Sequence, residues 1–298
     1  MTVLCAALAL PSLSRGMVMR TYSAISDAAS LQKSIKENSI LSDTLVNFSK
    51  LFLNSRSGTA AGGFSSKTNE QTIPVVRMVY LVPSDRAARP EYEAAMGKAV
   101  KNLRIWYRLQ LGNVLTFKLY NPVVQVIATP HASSWYAANS GSDASQYWFW
   151  TNVLADAFAL TKGSFNDPYN RWIFYIDADP SCGQVTGGTS GVAVLPANDL
   201  RGLIGEKNIS PCENKAPDTG GICRWVGGLG HELGHAFNLP HPASCEAHEA
   251  SCPSDTLMWL GYINYPDTYF LAEDKNKLKR SPFFSQMFTS QALPACGM

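Results

Sequence analysis

Three of the chain's five histidines fall within one eleven-residue stretch, HELGHAFNLPH at 231–241. His231 and His235 are four residues apart, so on a helix their side chains lie about 40° apart on one face, one turn along. Two imidazoles so placed can take adjacent corners of a tetrahedral ion. Glu232 sits about 100° round the helix from His231. From there a carboxylate can take a proton from a water held by the ion without binding the ion itself. A helix cannot bring a third ligand to the same face at a usable angle, so the chain must turn. Asn238 stands where the turn is needed, and Asn tolerates left-handed backbone better than any residue but Gly. Pro240 blocks further helix. His241 then arrives six residues after His235, from a new direction. Three neutral imidazoles and one water make an open, catalytic zinc site rather than a closed structural one.

Such a helix needs a framework. The chain has 298 residues, enough for one large domain or two modest ones, and its 46% hydrophobic share can fill a core. The net charge of +2, with no long basic run and no acidic tail, gives no reason to expect nucleic acid. No apolar window is long enough to span a membrane. Residues 55–72 are rich in Ser, Gly and Thr and read as a linker, so the folded domain is expected to begin near Ile73. Val75 to Val82 reads as a buried strand. Pro90 opens a helix, with Tyr92, Met96, Val100, Leu103 and Tyr107 on one face and Gly112 as its stop. Val114 to Leu119 and Val123 to Ala128 read as two strands, Tyr147 to Leu160 as a buried helix. Arg171 to Ile176 and Gly191 to Leu195 complete the strands. Strands interleaved with helices predict an α/β layer structure.

HELGHAFNLPH resembles the long zinc motif of the metzincin metalloendopeptidases, His-Glu-x-x-His-x-x-Gly-x-x-His, at four of its five defining positions; the departure is Asn238 for Gly. Met258, in SDTLMWLGY, lies 17 residues after His241 and matches the Met-turn of that group. Some of these enzymes place a Tyr two residues after the Met. Here Leu260 holds that place and Tyr262 follows, leaving Tyr262 as the candidate transition-state residue. The resemblance spans residues 225 to about 262. It implies an α/β (α+β) fold: a twisted mixed sheet packed on helices, the zinc helix among them, with a small irregular disulfide-pinned C-terminal subdomain. The upper part would be 73–241 and the lower part 242–298. It further implies that an edge strand pairs antiparallel with an extended peptide. GGTSGVAVLP at 187–196 is the expected counterpart, with Gly191, Val192 and Ala193 as substrate-binding residues. The expected activity is secreted zinc endopeptidase. His231, His235 and His241 hold one Zn²⁺, Glu232 is the general base, and the partner is a protein or peptide substrate.

The cysteines bear on compartment. Six of the seven, all but Cys5, follow residue 180. An even set clustered around the chemistry favours disulfides and secretion. Short loops favour Cys212–Cys223 and Cys245–Cys252, leaving Cys182–Cys296. The apolar run within residues 1–16 has the length of a signal-peptide core, though its first residues lack Lys or Arg. Residues 17–72 would be an extension or prosegment. Sequons at Asn47 and Asn208 fit secretion.

Two rivals accompany this reading. A gluzincin-type peptidase would take Glu273, from FLAEDKNKL, as third ligand in place of His241. A secreted binding protein could keep the zinc scaffold without turnover, but the presence of Glu232 speaks against it. Asp143, Asp177 and Asp179 lack any EF-hand spacing, so solvated turns are expected there and Ca²⁺ is unsupported. His248, in a Cys-bounded polar loop, and His131, in a Thr-Pro-His-Ala loop, are not expected to bind metal. Pro180-Ser181-Cys182-Gly183 faintly resembles a cysteine-switch segment but falls inside the domain, where disulfide bonding is expected.

Overall fold

The computed structural model describes residues 73–141, 143–206, 221–286 and 292–296. The expected signal peptide and extension, both sequons, Cys5 and Cys212 lie outside them.

Strand β1 (Val75–Val82) lies between an edge strand and the central strand of a five-stranded sheet ordered β3-β1-β4-β6-β5. Strands β3 (Leu119–Ala128), β4 (Asn170–Ile176) and β6 (Val192–Leu195) run parallel in it, and β5 (Gly187–Thr189) is the antiparallel edge. Alternate residues of β1 go to opposite faces, as strand geometry requires. Val76, Met78 and Tyr80 join one core, and Val79 and Leu81 join another. Both faces are apolar because helices cover both. On the first face lie α1 (Pro90–Gln110), α4 (Ala197–Leu203) and α5 (Gly221–Ala236). On the second lies α3 (Trp148–Thr161), with the one-turn α2 (Trp135–Ala138) against it.

Helix α5 is the motif helix. It is buried along most of its length, and the Tyr107 hydroxyl of α1 donates to its Gly230 carbonyl at 2.9 Å. Beyond His241 the chain is irregular. It forms α6 (Ala243–Glu246), a 3₁₀ turn at Gly261–Asn264, α7 (Ala272–Arg280) and β7 (Phe284–Gln286). Strand β7 returns to pair antiparallel with β2 (Leu115–Phe117).

The α/β layering expected from the pattern is present, with three differences. The segment read as two strands is divided differently: β2 leaves the main sheet for β7, while β3 runs on through Pro122. That proline is exposed on an edge strand, where a missing N–H is tolerated. The segment read as the edge strand is a hairpin whose first arm is the edge. The disulfides also differ. Cys245–Cys252 forms as expected, but Cys223 pairs with Cys296. The expected Cys212–Cys223 and Cys182–Cys296 are thereby overturned. Loop length favoured a near partner for Cys223, whereas packing of the C-terminal segment against α5 brings a residue 73 positions away to it. Cys182 is also disulfide-bonded, so it has no free thiol to act as a switch.

Candidate active site

Helix α5 ends in the way the sequence requires. Asn238 takes left-handed backbone at φ 65°. The Asn238 N–H donates to the His235 carbonyl and the Leu239 N–H to the Gly234 carbonyl, the paired bonds of a Schellman turn with Asn in the glycine place. That turn delivers His241 back toward the helix.

The three histidines converge. The Nε2 atoms of His231 and His235 are 3.0 Å apart, those of His235 and His241 3.0 Å, and those of His241 and His231 3.3 Å. A tetrahedral zinc with nitrogens at about 2.0–2.1 Å would space them about 3.3 Å apart, so the donor set fits that ion. Each opposite ring nitrogen has a partner that can only accept. His231 Nδ1–H donates to the Leu257 carbonyl at 2.7 Å and His235 Nδ1–H to the Leu239 carbonyl at 2.8 Å. His241 Nδ1–H donates to Glu246 Oε1 at 2.5 Å. These bonds set the tautomers, so all three Nε2 lone pairs face one another. Burial, with neighbouring imidazoles, holds His231 well below the usual histidine range. Burial takes His235 down to about 3 and lowers His241, where Glu246 opposes the fall. The rings are therefore neutral, as ligands must be. Among the described residues, this triad is the only cluster of His, Cys, Asp or Glu able to hold a metal.

Glu232 points from α5 to the edge strand. Its Oε2 accepts the Gly188 N–H at 2.6 Å. Burial pushes its carboxyl up to about 8. The Gly188 bond opposes that rise, and Asp199 on α4 adds to it. Asp199 is itself pushed up to about 7 by burial. Strand and helix touch so closely that glycine is required: a Cβ on Gly188 would collide with the Glu232 carbonyl oxygen. A cleft of about 700 Å³ runs along this contact. Thr186 to Ser190 form one wall, and Glu232, His235, Asn238 to His241 and α6 form the other.

Met258 is fully buried beneath α5, and a Cβ on Gly234 would collide with its sulfur. The second variable position of the motif is thus small because Met258 lies under it.

Three expected placements differ. Val192 and Ala193 are fully buried in β6, paired with β4 on one side and β5 on the other, and Gly191 is the turn before them. Their backbone groups are taken up by neighbouring strands, so the free edge is Gly187–Thr189. Tyr262 is buried with its ring edge-on to His231, 5.4 Å between centroids, and does not line the cleft. Its place is behind a ligand rather than beside a substrate. Glu273 is exposed in the first turn of α7 and takes no part in the histidine cluster, which removes the gluzincin ligand set.

Of the groups set aside, Asp177 departs from the expected solvated turn: it is buried and accepts from the Tyr80 hydroxyl at 3.3 Å. His248 is exposed outside the cluster, His131 pairs with Asp156, and Asp179 pairs with Arg201. Sequence reasoning missed Glu246, the Gly188 N–H and the two ring-orienting carbonyls. An acid five residues beyond the third histidine was a legible signal for Glu246. Backbone donors and acceptors leave none.

No protein-family model matches the sequence, and no curated protein is similar to it. Among solved structures, wild-type OgpA from Akkermansia muciniphila is similar at 17% identity and a TM-score of 0.48, covering 78% of this chain. The match takes in 65% of the OgpA chain. Metalloproteinase-II from Bacteroides fragilis is similar at 14% identity and a TM-score of 0.34, over 70% of this chain and 54% of that one. A zinc-dependent peptidase from Methanocorpusculum labreanum is similar at 11% identity and a TM-score of 0.28, over 67% of this chain and 99% of that one. The second and third of these are proteolytic enzymes by name, but at such identities and TM-scores function has to be argued from the site.

Proposed function

We propose that this chain is a secreted, metzincin-type zinc endopeptidase. The observation that carries the reading is the histidine triad, three neutral rings whose Nε2 atoms face one point while each Nδ1 is tied back. His231, His235 and His241 would hold the ion, which when bound polarises a scissile carbonyl and brings its water to a pKa of about 7.

The chain's own groups supply the rest. Glu232 stands at the junction of the triad and the edge strand, where a peptide bond laid along the cleft would pass. The charge of an ion held by the three neutral histidines would favour its carboxylate form over the proton that burial alone would keep on it. As carboxylate it accepts a proton from the attacking water and passes it to the leaving amine. The Gly188 N–H holds the carboxylate oxygen in place throughout. Gly187–Thr189 is an edge of the sheet among the described residues, and its backbone groups other than the Gly188 N–H and the Gly187 carbonyl give an extended peptide a strand to add to. Disulfides at Cys223–Cys296 and Cys245–Cys252 fit an oxidising, extracellular setting. No helix among the described residues is long and apolar enough to cross a membrane.

The test is a peptide library digested by the purified protein and read by mass spectrometry, with and without chelator. It should include O-glycopeptides, the class seen bound to catalytically inactive OgpA. Chelator-sensitive cleavage at internal bonds, restored by zinc, is expected. A zinc-loaded protein that cleaves nothing in the library would favour the binding-protein rival.

A further inference from the structure

We infer that the loop closed by Cys245–Cys252 holds Glu246 as a positioning residue for the third histidine, so that this disulfide and the strength of metal binding are coupled. The inference rests on the zinc reading above and adds a control on the same site.

The three ring-orienting bonds are not equivalent. His231 and His235 donate to backbone carbonyls whose places are set by the fold. Leu239 lies in the Schellman turn, and Leu257 follows a bridge between Thr256 and Tyr269. His241 donates to a side chain instead, and the Glu246 side chain is 34% exposed. Fixing a free glutamate in one rotamer costs side-chain entropy, so the backbone beneath it has to be held firmly. Helix α6 has four residues, far too few to be stable alone.

What holds it is the loop. Cys245, next to Glu246 and 1% exposed, is bonded to Cys252 seven residues on. Between them the chain folds back on itself. The His248 N–H donates to the Cys245 carbonyl, the Glu249 N–H to the Ser244 carbonyl, and the Cys252 N–H to the Glu249 carbonyl. Residues 247–250 are exposed, so the disulfide does here what apolar packing does under α5. The carboxylate on Nδ1 keeps the His241 Nε2 lone pair aimed at the other two rings and makes it a stronger donor. A loosened loop would let Glu246 leave and the ring turn.

Zinc affinity of the full chain, by competition with a chromophoric chelator, tests this, with melting of the metal-free protein followed alongside. Glu246→Ala is expected to weaken zinc binding about 10–100-fold with little change in metal-free melting. Glu246→Gln, which keeps an oxygen acceptor, should recover part of that loss. Cys245→Ser with Cys252→Ser should weaken zinc binding comparably. Adding Glu246→Ala to that pair should weaken it little further, because all three changes remove one contact. Zinc affinity within twofold of wild type for Glu246→Ala overturns the inference. So do a Gln variant as weak as the Ala variant and fully additive losses in the triple variant. Wild-type protein that binds no zinc overturns the metal reading itself and this inference with it.

Discussion

Residues 75–203 and residues 242–286 are built on different plans. The first region is regular: parallel strands buried on both faces, with helices whose apolar residues recur at helical spacing. The second has short helical turns, one disulfide, one isolated bridge and a strand that pairs back onto β2. The site draws differently on each. The regular region places α5, and with it His231, Glu232 and His235. The irregular one supplies the Leu257 carbonyl that aims His231, Glu246 that aims His241, and Met258 that supports α5 at Gly234. Periodic structure sets where the ligands stand, and aperiodic structure sets which way they face.

The sharpest test separates chemistry from both frameworks. Glu232→Gln keeps size and one acceptor but cannot take a proton at neutral pH. Turnover should fall about 10²–10⁴-fold while zinc content stays at the wild-type level. Near wild-type turnover in zinc-loaded protein would take Glu232 out of the mechanism.

A matched pair then compares the regions directly. Met258→Ala beneath α5 and Leu154→Ala in α3, on the far face of the sheet, should each cost about 2–5 kcal/mol of stability in denaturant titration. Only Met258→Ala should also weaken zinc binding, because only that cavity opens under a ligand helix. Equal zinc affinity in the two variants would erase the proposed division of labour.

Asp199 probes the regular region alone. Burial raises its folded pKa to about 7, above the unfolded value of about 3.9. The folded chain therefore holds this proton more tightly than the unfolded chain. The stability it contributes is full below about pH 4 and is lost as pH rises toward about 7. Asp199→Asn should be stabilised relative to wild type at pH 8, on the order of a few kcal/mol, and hardly at all at pH 4. Urea midpoints with the same offset at both pH values would show that ionised Asp199 costs nothing.

The smallest effect expected is at the hairpin between β5 and β6. Ser190 sits at φ 49° and Gly191 at φ 91°, a two-residue turn with both angles positive. Ser190→Gly should gain no more than about 1 kcal/mol in thermal melts, from relief of the left-handed serine. A loss would mean that the serine hydroxyl holds the turn.

The sequence was most legible where one residue type has one physical reason to be present. The helix-spaced histidines, Asn238 at the turn and Met258 beneath α5 all fall where their chemistry predicts. The strand and helix beginning at Val75 and Pro90 do too. Legibility failed where partners are distant or made of backbone. Nothing in GGTSGVAV separates an arm at the sheet's edge from a doubly paired one, because Gly and Thr suit either. Tyr262 follows the place where a substrate contact is expected by two residues, and packing turns it behind His231. Cys223 finds Cys296 only because the C-terminal segment crosses back over α5. Such choices belong to tertiary packing rather than local pattern.

The Cys223–Cys296 bond encloses everything the site is made of apart from the edge strand. His231, Glu232, His235, His241, Glu246 and Met258 all lie inside one covalent ring of the chain. A peptidase exposed to its own activity, or to that of neighbouring enzymes, risks being cut in its surface turns. A single nick anywhere between those two cysteines leaves the ends latched together. A wounded molecule would then keep its metal-holding parts in one piece.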